Sequence, residues 1–323
     1  MSDQGKGMSD LWRRLRFVFV AILVYRVGTH IPIPGIDPDR LSSLFEQNQG
    51  TLLDMFNLFS GGALERMSIF ALNVIPYISS AIIMQLFSNS IPYLQELKKD
   101  GQAGRNQITQ YTRYGTVVLA FIQASALAVT LSGSGLAYAP GAAFFASAVF
   151  SVVAGTVFLM WLGEQISERG IGNGISLIIA TSILTGIPGA IGQALEQSRQ
   201  GDLNILLLLA IAVLAMAVIA VVVFIERGQR RITVNYAQRQ QGRKLMQAQS
   251  SHLPFKVNMA GVIPAIFAST FLLFPASLAS WFGQSEGTNF LQSASLALTP
   301  GQPLYILVFS ALIISFCFIW LAL

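Results

Sequence analysis

Charge is scarce in this 323-residue chain. Its 20 Lys and Arg and 15 Asp and Glu amount to 11% of the residues, where an ordinary soluble domain carries about 25%. That is too little to cover the surface of a soluble fold of this length, which argues against a water-soluble globular enzyme. Apolar residues make up 53%, so the chain is not disordered either. Cysteine is nearly absent: Cys317 stands alone, which excludes a disulfide framework or a cysteine-rich metal site within one chain. The two histidines, His30 and His252, have no plausible ligand set around them, and no His-Glu-x-x-His occurs. No metal, cofactor or enzymatic role is expected. No small-residue cleavage site precedes a mature soluble region, so the first apolar run is expected to stay in the membrane.

What the chain does have is long stretches without charge, at 67–95, 114–163, 170–195, 203–225 and 257–285. Crossing the hydrocarbon core takes about 20 apolar residues in a helix. The 114–163 stretch is too long for one crossing and is divided at 132–142 by Ser132-Gly133-Ser134-Gly135 and Pro140-Gly141. Eight spans are expected, at about 17–34, 72–92, 114–131, 143–163, 174–194, 204–225, 259–281 and 303–323. Backbone groups in lipid must pair within the segment, so these are helices. The short alternating segments of a β-barrel are not visible. The fold class is therefore all-α, a polytopic membrane helix bundle.

Lys and Arg placement sets the orientation. Basic residues gather before span one (Lys6, Arg13, Arg14, Arg16), between spans two and three (Lys98, Lys99, Arg105, Arg113) and across 226–258, where seven of them face one acid, Glu226. These segments alternate along the chain and share one side. The intervening loops are basic-poor. The N-terminus is expected to be cytoplasmic.

Three segments are not spans. Residues 35–71 contain an apolar run, Leu52 to Leu64, too short to cross; a re-entrant piece or an interfacial helix fits it equally. Residues 226–258 are long, polar and basic. Ile232, Val234 and Tyr236 alternate with polar neighbours, as in a strand pair or hairpin. The length exceeds what orientation alone needs, so a docking surface for a soluble partner or nucleic acid is favoured over a purely topogenic loop. Gly170-Ile171-Gly172-Asn173-Gly174 looks superficially like a phosphate loop, but no strand precedes it, and a tight turn between helices is expected. Glu164 and Glu168, four apart, read as a polar helix end.

Inside the spans the only charge is Arg26, free to snorkel, to face water or to pair with a carbonyl, and a structural role is favoured. Otherwise the spans offer aliphatic ridges. Val74, Ile78 and Ile82 lie four apart, as do Ile175 and Ile179. For any single aliphatic residue, lipid contact or packing is the default reading. Pro76 and Pro264, with Ser, Asn and Gln nearby, suggest helices made to bend or part. The absence of intramembrane carboxylates argues against a secondary transporter, the alternative that span count alone would favour.

At these residues the chain strongly resembles the SecY family, the channel subunits of the bacterial Sec protein translocon. The resemblance is carried by Ile31-Pro32-Ile33-Pro34-Gly35-Ile36, Phe59-Ser60-Gly61-Gly62-Ala63-Leu64, Gln110-Tyr111-Thr112-Arg113-Tyr114-Gly115, Trp161 through Gly174, Glu226 through Arg231, and Lys256 through Pro264. It implies an inverted-repeat channel of ten spans. Residues 1–194 would hold spans one to five, and 195–323 a partial second half, C-terminally incomplete, with spans six to eight.

The resemblance implies the site residues as well. A plug is expected at about 55–66, including Phe59, Ser60, Gly61, Gly62 and Leu64. Val74, Ile78, Ile175, Ile179 and Ile266 would form a pore ring, and Ile82, Gln85, Asn258 and Val262 would border a lateral gate between spans two and seven. Arg239, Arg243 and Lys244 would dock the ribosome and the SecA motor, with possible contact to ribosomal RNA. Lys244 stands where the family often has Arg, which keeps the charge and loses the bidentate fork. Small membrane subunits SecE and SecG, signal-sequence-bearing preproteins and membrane lipids complete the implied partners. The implied location is the bacterial inner membrane, and the implied task is conduction of unfolded preproteins with lateral release of hydrophobic segments.

Overall fold

A computed structural model describes residues 3–37, 41, 57, 60–133, 135–139, 141–201, 204–235, 240–241, 244–245, 250–258, 261, 264–265, 267–269, 271–272 and 302–322. The chain forms two compact units, 1–190 with 267–311, and 191–266 with 312–323.

In the first unit, α1 (Asp3–Gly28) begins polar, with Asp10 accepting from Arg13 and Arg14 at 3.1 and 3.0 Å. It ends earlier than the expected span. Pro32 and Pro34 cannot continue a helix, and Thr29 Oγ1 instead bonds back to the Arg26 carbonyl at 2.7 Å. The chain then runs extended. Ile33 N–H donates to Met67 at 2.8 Å and Ile69 N–H donates to Ile31 at 3.0 Å. Residues 61–74 are a succession of turns. Gly61 and Gly62 take left-handed backbone (φ 67° and 79°), as do the buried Met67 (φ 41°) and Asn73 (φ 49°), a conformation unusual for residues with a Cβ.

Helix α2 (Ile75–Ser90) starts with Pro76 in its first turn, where a missing N–H costs nothing. It stops before Ile91, which Pro92 forces into extended backbone. At 16 residues it is shorter than the expected 72–92 span. After α3 (Pro92–Lys99) comes α4 (Gly101–Gly133), then α5 (Ala142–Arg169) and α6 (Gly174–Gln200). These three helices overrun the expected spans at one or both ends. Thr112, Thr116, Ala120, Ala124 and Ala128 form a buried small-residue ridge along α4; four-residue spacing keeps them on one face, and small side chains let helix backbones approach closely. The Gly170–Gly174 stretch is the expected tight turn: Asn173 Oδ1 accepts from Ser176 N–H at 3.2 Å, and Gly174 N–H donates to Ser167 Oγ at 2.8 Å.

In the second unit, α7 (Ile205–Glu226) is capped by Asn204, whose Oδ1 accepts from Leu206 N–H at 3.1 Å. It is apolar all round and buries none of its residues, a composition suited to lipid contact. Then β1 (Gln229–Asn235) pairs antiparallel with β4 (Ser250–Lys256), from Gln229 opposite Lys256 to Asn235 opposite Ser250. The expected hairpin is thus present, with Ile232 and Val234 on β1; Tyr236 lies outside the described residues. Between them in sequence, β2 (Gln240–Gln241) pairs with β3 (Lys244–Leu245) as a separate two-stranded sheet.

Helix α8 (Pro303–Ala322) coincides with the expected last span. Of 259–281 only short helical pieces are described, with Ala268 and Leu272 buried. Among the described residues, four helices (α4, α5, α6 and α7) are long and apolar enough to cross a membrane. The first span carries three arginines on its entry side, and the second is too short to meet that standard.

Candidate functional site

The heads of α2 and α6 meet on one apolar cluster. Val74, the residue before α2, is 1% exposed and belongs to a buried core with Tyr25, Ala63, Phe70, Leu159, Leu162, Ile166 and Ile178. Ile78, one turn into α2, and Ile175 and Ile179, in the first turns of α6, are half-buried and pack on it. The local reason is the pair of turns that start these helices. Asn73 in left-handed backbone delivers Val74 to the head of α2. Gly174 sits against the Gly163 carbonyl where no Cβ fits, which holds α6 against α5. Four of the five expected ring residues therefore share one cluster. Ile266 lies outside the described residues.

Over this cluster lie residues 60–66, tied to one another and to Asn57. Gly62 N–H and Ser60 Oγ both donate to the Asn57 carbonyl at 3.0 Å. Leu64 N–H donates to Ser60 Oγ at 3.1 Å. The Asn57 amide donates to Glu65 at 3.0 Å and accepts from its N–H at 3.1 Å. Ser60 and Ala63 are fully buried. Phe59 lies outside the described residues. A re-entrant, protein-enclosed piece is what the turn most resembles, since its buried backbone groups find partners in the chain.

Sequence reasoning missed a polar cluster that holds this turn down. The Tyr25 hydroxyl lies 2.6 Å from Ser182 Oγ and donates to the Ser60 carbonyl at 3.2 Å. The Asn73 amide donates to Ser182 Oγ at 3.1 Å. Arg26 Nη1 donates to the Gly61 carbonyl at 3.2 Å, which selects carbonyl pairing among the three options for that charge. The signal was there: a Tyr, an Asn and a Ser in apolar stretches each need a buried partner, but sequence alone could not say that they find one another.

The remaining expected residues are dispersed. Ile82 and Gln85 lie half-buried along α2. Asn258 closes the base of the hairpin, donating to Glu226 at 2.8 Å and accepting from Gly261 N–H at 3.1 Å. Val262, Arg239 and Arg243 lie outside the described residues, and Lys244 is placed in β3 opposite Gln241. On β1, Arg230 and Arg231 are exposed. Gly283-Gln284-Ser285-Glu286-Gly287 matches Gly-x-Ser-x-Gly letter for letter. A nucleophile elbow needs a strand before it and a helix after it. Here an apolar stretch precedes it, and the segment lies outside the described residues.

A family model described as SecY matches residues 68–323. The protein translocase subunit SecY of Pseudomonas aeruginosa is 63% identical over 317 residues, covering 98% of this chain and 72% of the relative. That of Escherichia coli K12 is 59% identical over 321 residues with the same coverage. Among solved structures, one described as a protein conducting channel matches with a TM-score of 0.60 at 18% identity, covering 84% of this chain and 59% of that one. The Sec61 channel from a canine ribosome-channel complex matches at 0.58 and 18%, over the same shares. At such identity the likeness is one of fold.

Proposed function

The chain belongs to the SecY family, and from that premise we propose that the heads of α2 and α6 form the constriction of its pore, closed by the 60–66 turn. The family's members are translocase subunits, and the chain is a multi-pass membrane protein and a channel subunit, not an enzyme. The observation that carries the pore reading is the convergence of Val74, Ile78, Ile175 and Ile179 on one cluster that also receives Ala63 of the turn.

Aliphatic side chains offer no fixed groups to replace an ion's hydration shell, so a narrow ring of them blocks ions by dewetting. They also give a passing peptide no hydrogen-bond partners to stick to. Flexible side chains can close around varied chains without recognising any of them. Ile266 would complete the ring from span seven. Ile82, Gln85, Asn258 and Val262 would border the path by which hydrophobic segments leave for lipid. The relatives are bacterial, which supports the inner membrane as location. The basic residues in the first half of α1, around α3 and across the hairpin support a cytoplasmic N-terminus.

The exposed Arg230 and Arg231, with Arg239, Arg243 and Lys244, make the hairpin an electrostatic platform for the SecA motor and the ribosome, including ribosomal RNA. One solved neighbour comes from a ribosome-channel complex, which fits that use. SecE and SecG would complete the channel. The test is translocation. Proteoliposomes holding the full-length chain with its partner subunits, supplied with motor and ATP, should render an unfolded preprotein resistant to external protease. No protection, together with saturable uptake of a small solute, would return the protein to the transporter class.

A further inference from the structure

We infer that Tyr25 and Ser182 form a two-position hydroxyl switch that latches the Ser60–Gly61 turn and sets how easily it leaves. The inference rests on the reading of 60–66 as the pore's closing segment. A hydroxyl carries one proton. Here two hydroxyl protons face three demands: the 2.6 Å contact between the two oxygens, the Ser60 carbonyl 3.2 Å from Tyr25, and the Ile178 carbonyl 2.9 Å from Ser182 Oγ. They cannot meet all three at once.

Two arrangements are therefore available. In the first, Ser182 donates to Tyr25 and Tyr25 donates to the Ser60 carbonyl, holding the turn. In the second, Tyr25 donates to Ser182 and Ser182 donates to Ile178 within its own helix. The Asn73 amide donates to Ser182 Oγ in both. The Ile178 carbonyl lies inside α6 and has the backbone N–H four residues on as its regular partner, so it tolerates either arrangement. When the turn departs, the second arrangement leaves neither hydroxyl proton orphaned. Release then costs a hydrogen bond without the larger cost of a buried, unpartnered donor.

The surroundings hold this geometry in place. The Tyr25 ring stacks on Phe70 at 6.1 Å and 6°, which fixes where its hydroxyl points. Gly61 takes φ 67°, and a Cβ there would come within 3.1 Å of the Ser182 Cα, so the turn lies directly on the α6 backbone. Arg26 adds a charge-assisted bond to the neighbouring Gly61 carbonyl.

The switch makes two predictions of opposite sign. Tyr25→Phe removes the proton that holds the turn and keeps the stacked ring, so opening becomes easier. Ser182→Ala removes the acceptor 2.6 Å away and commits the Tyr25 proton to Ser60; departure of the turn then requires the Asn73 amide to turn its oxygen toward that proton, and opening becomes harder. The assay is ion conductance of the full-length chain in its assembled channel complex in planar bilayers, titrated with a synthetic leucine-rich signal peptide. The half-maximal peptide concentration should fall roughly two- to tenfold for Tyr25→Phe and rise by a similar factor for Ser182→Ala. The double variant should behave like Tyr25→Phe.

A merely structural role predicts easier opening in both single variants. Shifts in the same direction, or no shift in either, overturn the latch. Should Tyr25→Phe fail to assemble, Ser182→Ala alone decides, because loss of packing and loss of the switch push it in opposite directions. If the peptide opens no conductance in the parent complex, the channel reading falls and the latch with it. If the parent opens and the variants match it, only the latch falls.

Discussion

Arg113 and Glu164, 51 residues apart, meet in a two-bonded ion pair, Nε to Oε1 and Nη2 to Oε2, both at 2.8 Å. They are the two charges that bracket the uncharged stretch 114–163. Their meeting follows from the helical hairpin: α4 and α5 run antiparallel, so the charges at its two ends arrive at the same level. With side chains 44% and 20% exposed, the pair is partly screened by solvent. Bidentate geometry raises its worth above that of an ordinary surface pair, and a double-mutant cycle with Arg113→Ala and Glu164→Ala should give a coupling of about 1 kcal/mol. Unfolding of the detergent-solubilised protein reads it. The coupling should shrink in molar salt; a cycle that sums to zero at low salt would show the pair to be ornamental.

The hairpin shows how the fold was legible. Charge gaps report where lipid forbids charge, so α4 to α7 could be read directly, and alternating Ile232 and Val234 announced the strand pair. The ends of the first two spans could not be read. Pro32 and Pro34 are apolar by composition and break the helix by geometry, so α1 stops at Gly28 although hydrophobicity continues. Ile91-Pro92 does the same to α2. The site was half legible. Aliphatic spacing and family resemblance pointed to Val74, Ile78, Ile175 and Ile179. Tyr25, Asn73 and Ser182 carry no spacing signal, because their contact spans 157 residues of chain and depends on two left-handed turns.

The turn that carries Asn73 is seated by a glycine. At Gly155 of α5 a Cβ would collide with the Ile69 carbonyl oxygen, and Phe70 lies beside it. Backbone cannot yield as a side-chain tip can. Gly155→Ala should therefore destabilise the protein by about 1–3 kcal/mol despite alanine's better helix propensity. Gly189, also helical, meets nothing within 4 Å and supplies the control. Gly189→Ala should be neutral or slightly stabilising in the same thermal unfolding assay. Equal effects at the two positions would refute the seating argument.

The pore reading makes its own demand on Ile78 and Ile179. Each is half-buried against the shared cluster, so a polar residue of similar size can be accommodated there while bringing water into the constriction. Ile78→Asn with Ile179→Asn should raise resting ion conductance across planar bilayers, with no peptide added, by an order of magnitude or more if dewetting is the barrier. Ile232→Asn, on the hairpin, should leave the leak unchanged. An unaltered leak in the double variant would remove these residues from the ring.

The hairpin's prediction is electrostatic. Gln241 pairs with Lys244 across β2 and β3, which leaves only Gly242 and Arg243 between the paired residues. The chain thus offers two cations adjacent in sequence, Arg243 and Lys244, the second at the start of β3. Arg243→Glu should weaken binding of the SecA motor or the ribosome to vesicles containing the channel by at least tenfold at low salt. The defect should narrow as ionic strength rises and the Debye length falls below about 8 Å. Lys244→Arg should strengthen binding if the partner offers carboxylates or phosphates to a fork, and leave it unchanged if it reads only charge. The two substitutions measured together, by co-sedimentation across a salt series, separate a geometric contact from a field. Binding that ignores both would move the docking surface to the exposed Arg230 and Arg231 of β1 or off the hairpin altogether.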